Sequence, residues 1–203
     1  RGAPGRPFSL EGLLVRGDAA QYLRIVEDGY GPTGQATRRL LFFPLYPLLV
    51  KPFAFLMDPV LAAVLVTNVA LLLAMYFLFR VVESAAGKEG GDDAIAYLAA
   101  SPIAFFCALP TADALLLMLL VLSFYGWEKD RPVIAGLFGM MAALTHLYGV
   151  LLFFGMAFAA ASKAKWRFSS FAGPAAALLL IPAGLAAFMI YAQVGHGDAM
   201  AVI

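Results

Sequence analysis

Long apolar runs separated by short polar loops dominate the chain, and the spacing of the loops predicts its architecture. The runs at 59–79, 94–109, 112–127, 133–146, 149–161 and 171–194 are bounded by charged, glycine-bearing or proline-bearing segments. Several approach or exceed the roughly 18–20 residues that cross a bilayer. The residues at 80–93 read as a polar loop, and Pro110-Thr111 as the turn of a hairpin between 94–109 and 112–127. Thr145-His146-Leu147-Tyr148-Gly149 interrupts the apolar stretch 133–161, which predicts two short helices running out and back. Strands of a membrane barrel would alternate over segments of about ten residues, and no such pattern is present. The predicted fold is all-α, a polytopic transmembrane helical protein forming one transmembrane domain over 1–203.

Segment 15–56 departs from this pattern. Ala20, Leu23, Val26 and Tyr30 recur at helical spacing, which predicts a short amphipathic helix lying on the membrane surface, with Asp18 as a candidate N-cap. Gly29 and the Gly31-Pro32 to Gly34 cluster stop it. Residues 40–56 are apolar but carry Pro44, Pro47, Lys51 and Pro52, so a re-entrant or interfacial segment fits better than a full crossing. The expectation for 15–56 is an outer interfacial loop.

Composition agrees with the pattern. Of 203 residues, 63% are hydrophobic and 13% charged, against about 25% charged in soluble domains, and the mean hydropathy is +0.86. A net charge of +1 without a Lys/Arg-rich run gives no case for nucleic acid. The single cysteine, Cys107, sits in an apolar run and reads as a packing residue. The chain starts at Arg1 and stops after a polar loop at Ile203. The expectation is an internal piece of a longer protein, missing at least one upstream membrane helix.

Charge asymmetry orients the helices. Arg80 and Lys88, Lys129 and Arg131, and Lys163, Lys165 and Arg167 should share the cytoplasmic side. Asp18, Asp113, His146 and Asp198 then all fall on the opposite side. Arg38 and Arg39 fall there too, against the charge rule, which makes them candidates for a lipid phosphate.

Each candidate has two readings. Asp18, with Tyr22 one turn on, is a general base for a hydroxyl or a helix-capping carboxylate. Asp113 is a carboxylate at membrane depth that needs a partner or water, or another helix-start residue. His146 binds phosphate or pairs with an aspartate, or is a hydrogen-bonded packing histidine. The run Phe42-Phe43-Pro44-Leu45-Tyr46-Pro47 lines a groove for a long isoprenoid chain, or anchors the interface. Asp198 is a binding or a plain loop aspartate. Gly136, Gly139, Gly149 and Gly155 read as helix-packing glycines. His146, His196 and Cys107 lack metal-site spacing.

Four segments taken in order resemble a known family. They are Arg16-Gly17-Asp18-Ala19-Ala20-Gln21-Tyr22 with Gly29-Tyr30; Phe42-Phe43-Pro44-Leu45-Tyr46-Pro47-Leu48; Ser101-Pro102-Ile103-Ala104-Phe105-Phe106 with Thr111-Ala112-Asp113; and Leu144-Thr145-His146-Leu147-Tyr148-Gly149. Together they resemble the PIG-V family of mannosyltransferases, within the GT-C superfamily of membrane glycosyltransferases. Gly197-Asp198 is similar to the family's Gly-Asp-Pro loop without its proline. The chain departs from the family at Gly17 (usually Trp), Gln21 (commonly His), 110–113 (Tyr-Thr/Ser-Glu) and His146 (Arg).

The resemblance implies inverting transfer of a mannose-type sugar from a polyprenyl-phosphate donor to a lipid-linked, glycolipid or membrane-proximal acceptor. Transfer would take place on the non-cytoplasmic face of a plasma membrane of bacterial type, or of the endoplasmic reticulum in a eukaryote. Asp18 would be the base. Arg38, Arg39 or His146 would stabilise the departing phosphate, and Tyr22, Tyr30, Phe43, Tyr46, Asp113 and Asp198 would contribute to substrate binding. No cofactor is required, because the donor brings its own leaving group, and metal dependence is left open. The alternative is a non-catalytic membrane protein that binds or transports polyprenyl lipid on the same scaffold.

Overall fold

The computed structural model describes residues 14–31, 36–163, 165 and 168–203, all helix, turn or loop without a strand among them. The order is α1 (Asp18–Asp28), α2 (Ala36–Arg39), α3 (Leu45–Ala54), α4 (Pro59–Ala100), α5 (Pro102–Ala108) and α6 (Asp113–Glu128). Then follow α7 (Pro132–Ala143), a 3₁₀ turn (Leu147–Leu151), α8 (Leu152–Lys163), α9 (Phe168–Leu178), α10 (Leu180–His196) and a second 3₁₀ turn (Ala199–Val202).

Two helical runs are long and apolar enough to cross a membrane, Pro59–Ala100 and Gly173–His196; the bent pair Pro102–Ala108 with Asp113–Glu128 makes up to three. The first run shows its solvent preference directly. Leu61, Leu65, Val69, Leu72 and Tyr76 form an exposed apolar stripe, while Ala62, Ala63, Thr67, Ala70 and Ala74 face the protein. Large residues outward and small residues inward is the reverse of a water-soluble helix, and it suits lipid outside with close helix contact inside.

Several boundaries differ from expectation. The polar segment 80–93 is helical: Arg80 pairs with Glu83 across one turn at 3.2 Å, and the reversal is concentrated at Gly87, with φ 79 and ψ 177. That backbone region is essentially open to glycine alone. The chain then folds back so tightly that a Cβ on Gly91 would lie 2.9 Å from the Phe79 ring. The expected crossing 94–109 is broken. Pro102 restricts Ser101 to an extended backbone (φ −73, ψ 139), which ends α4, and Ser101 Oγ accepts from Ile103 N to start α5. The turn at Pro110-Thr111 is present as a 105° bend.

The stretch 133–161 does run out and back. Ser123 Oγ donates to Ala135 O at 2.7 Å and contacts Met156 Sδ at 3.2 Å, while Leu152 comes against Gly139. Lys163 pairs with Asp130 at the far end of the same hairpin. Expected packing glycines are borne out at three positions. A Cβ at Gly136 would strike Ala177 O, at Gly139 Ile181 Cγ1 (2.5 Å), and at Gly149 Ala142 O. Gly155 is the exception, with nothing within 4 Å. Leu179 separates α9 from α10, because Pro182 has no N–H to bond Leu178 O four residues back.

These contacts divide the bundle into two ends. Helix α6 runs parallel to the first arm of α4, with Thr67 beside Thr111 and Ser84 beside Glu128. Leu45 N donates to Leu144 O at 3.0 Å, tying α3 to the end of α7. Asp18, Asp113, His146 and Asp198 thus lie at one end, and Lys88, Lys129, Arg131, Lys163 and Lys165 at the other. The charge rule grouped the same residues. Arg167 lies outside the described residues.

Candidate functional site

The Phe42 to Pro47 run organises the site end, and its side chains divide between two clusters. Phe42 meets the Tyr22 ring edge-on at 5.2 Å, and Tyr46 does so from the other side at 5.0 Å. Phe43 instead packs on Phe188 of α10 at 5.0 Å and stacks on His146 at 6.4 Å. Pro44 and Pro47 set this division, since proline holds φ and withholds an N–H where α3 begins.

In the first cluster, Tyr46 is fully buried and shares a hydrogen bond with Thr67 Oγ1 at 2.9 Å. Thr67 donates on to Thr111 O at 3.4 Å, and Thr111 Oγ1 donates to Asp113 Oδ2 at 2.7 Å. Asp113 is exposed at the start of α6, as Asp18 is at the start of α1. Gly17, not Asp18, occupies the N-cap of α1, with φ 58 and no side-chain capping bond. Asp18 is the first helical residue and has no capping role. The Tyr22 hydroxyl is held above the ordinary phenol range, first by burial and then by the carboxylates of Asp113 and Asp18. Two carboxylates separated by about a hundred residues in sequence therefore lie at the same end as one buried phenol.

Tyr30 anchors the second cluster. Its hydroxyl donates to Phe42 O at 2.7 Å, its ring touches Phe188 and Tyr191, and burial raises its pKa. A cavity of about 380 Å³ opens beside it, walled chiefly by Ile25, Pro44, Pro47, Leu48 and Phe188, with Lys51 supplying its cation. Neither Asp18 nor Asp113 lines that cavity. His196 packs edge-on to Tyr30 and Tyr191, and both its buried ring nitrogens lack a partner among the described residues.

Three sequence candidates have structural work. Arg39 donates to Gly29 O at 2.7 Å and pairs with Asp28 at 3.3 Å, which fixes the exit from α1. His146 Nδ1 accepts from Tyr148 N at 3.2 Å and caps the first 3₁₀ turn, its ring between Phe43 and Tyr148. Among the described residues it makes no hydrogen bond or ion pair with a carboxylate. Asp198 Oδ1 accepts from Met200 N and Ala201 N, capping the last 3₁₀ turn. Arg38 is exposed. Cys107 is buried and free, and no group of three His, Cys, Asp or Glu side chains among the described residues is placed to hold a metal.

Sequence reasoning passed over Thr67 and counted Lys51 only as an interruption. Both left a signal: a threonine amid alanines in an apolar helix, and a lysine inside an apolar run. Compared with protein-family models, curated proteins and solved structures, the chain finds no match in any of the three.

Proposed function

We propose that the chain is a membrane glycosyltransferase of GT-C type. It moves a mannose-type sugar from a polyprenyl-phosphate donor to a hydroxyl of a lipid-linked or membrane-proximal acceptor, with inversion. What supports this reading is the apolar cavity lined by Tyr30, Pro44, Pro47, Leu48 and Lys51, at the end of the bundle where Asp18 and Asp113 stand exposed at helix starts. In the proposed step the acceptor oxygen attacks the anomeric carbon while the bond to the donor phosphate breaks. The acceptor proton passes to a carboxylate, Asp18 in the first instance and Asp113 as its neighbour. The prenyl chain lies against Pro44, Pro47 and Leu48, and charge growing on the leaving phosphate is offset by Lys51 or Arg38. Arg39 and His146 are left to hold the fold, as their bonds indicate. Positive charge at the opposite end supports a non-cytoplasmic side for the carboxylates in this reading.

A second reading, non-catalytic binding or transport of the same lipid, is favoured by one specific feature: neither carboxylate lines the cavity. Full-length protein in liposomes, given polyprenyl-phosphate mannose and a pool of acceptor lipids, separates the two. Labelled glycolipid formed from this donor and not from nucleotide-linked mannose supports transfer. Retention of the donor without product, across several acceptors and sugars, supports binding alone.

A further inference from the structure

A second cavity, of about 430 Å³, opens at the opposite end between α4, α6 and α7, and the proposed reaction does not use it. Phe77, Leu122, Ile134 and Phe138 wall it, and Lys129 and Arg131 bring charge to it. The loop Glu128-Lys129-Asp130-Arg131 alternates acid and base in sequence, yet the fold sorts them. Glu128 Oε2 accepts from Ser84 Oγ at 2.8 Å, and Asp130 turns outward to Lys163 with φ 54. Both acids are thus engaged elsewhere, and both bases line the cavity. Lys129 Nζ stands 5.4 Å above the Tyr125 ring, and Arg131 N donates to Gly126 O at 3.0 Å, which fixes the loop over the opening.

We propose that this cavity binds an anionic glycerophospholipid from the leaflet at that end of the bundle. Its phosphate meets Lys129 and Arg131, and one acyl chain lies along the apolar wall. A guanidinium offers paired donors to phosphate oxygens, and an ammonium adds a compact charge. The walls decide for lipid over a soluble anion, because inorganic phosphate or a sugar phosphate would leave the apolar lining wet. Val133 and Leu137 continue that lining as exposed apolar surface on α7. Basic pockets between membrane helices take lipid headgroups by the same physics. The inference rests on membrane embedding and not on the proposed chemistry at the other end.

Native mass spectrometry of the full-length chain, released from nanodiscs of equal phosphatidylglycerol and phosphatidylcholine, tests it. Wild type should retain one phosphatidylglycerol with roughly ten-fold preference. Lys129→Gln with Arg131→Gln should bring that preference near unity, while Lys88→Gln, an exposed cation at the same end outside the cavity, should leave it unchanged. Arg131→Lys, which keeps the charge and loses the paired donors, should give an intermediate value and serves if the double variant does not fold. Equal preference in wild type and the double variant, or an equal loss in Lys88→Gln, overturns the proposal. So does release of the lipid by millimolar glycerol phosphate, which would indicate a site for a soluble anion.

Discussion

The two ends of this bundle hold similar kinds of side chain and use them differently. At the charged end, Lys163 pairs with Asp130 and Arg80 with Glu83 on the exposed surface, and Glu128 accepts from Ser84. At the site end, the carboxylates of Asp18 and Asp113 face no described cation in an ion pair. They lie at the end that holds the aromatic cluster of Tyr22, Phe42 and Tyr46. Ion pairs on a surface neutralise one another and contribute little. The difference lies in which groups are paired: Asp130 and Glu83 meet cations, whereas Asp18 and Asp113 enter no ion pair among the described residues.

Substitutions can break or sharpen this contrast. The largest effect on stability is expected at Gly136, where a Cβ would run into Ala177 O. Gly136→Ala should lower stability by about 1–3 kcal/mol, read by thermal unfolding in detergent. Such a loss would show that close backbone approach, and not its ion pairs, holds the charged end. At the site end, Tyr46→Phe removes the bond to Thr67 and leaves that hydroxyl to Thr111 O alone. A loss of about 1–2 kcal/mol is expected.

Tyr22 supplies a pH test. Its folded pKa is raised, so its contribution is complete below the unfolded value near 10 and is lost as pH rises beyond it. Wild-type stability should fall above about pH 10, each such tyrosine adding at most about 1.4 kcal/mol per pH unit. Tyr22→Phe should flatten that fall, with the remainder due in part to Tyr30. Smallest of all, Lys163→Ala removes an exposed pair and should cost less than about 1 kcal/mol. A greater loss than that for Gly136→Ala would reverse the view of the charged end.

Much of this was legible in the sequence. Apolar run lengths predict the all-helical bundle, and the Lys/Arg distribution predicts which loops share an end. The interruption around His146 predicts the α7–α8 hairpin. The misreadings have physical causes. Segment 80–93 looked like a loop because it is polar, yet polarity is compatible with helix, and Gly87 confines the reversal to a single residue. Asp18 looked like a cap because aspartate favours that position, but Gly17 with positive φ took it. His146 and Asp198 each carry a binding and a structural reading in the sequence, and the structure adds the structural part, a cap on a 3₁₀ turn for each. Arg39 was singled out for its sign, and its partners Gly29 and Asp28 precede it across a loop. The junction of Tyr46, Thr67, Thr111 and Asp113 depends on three helices meeting, which no local pattern encodes.

The most direct test of the account follows sugar transfer by full-length protein in liposomes, comparing wild type with Asp18→Asn, Asp113→Asn and the double variant. Asparagine keeps the shape of each side chain and removes its proton affinity. The account predicts a fall of about 10²- to 10⁴-fold in Asp18→Asn and no further rescue in the double variant, with unfolding temperature and donor retention near wild type. Transfer at the wild-type rate in the double variant would contradict it, and would place the chemistry away from these two carboxylates.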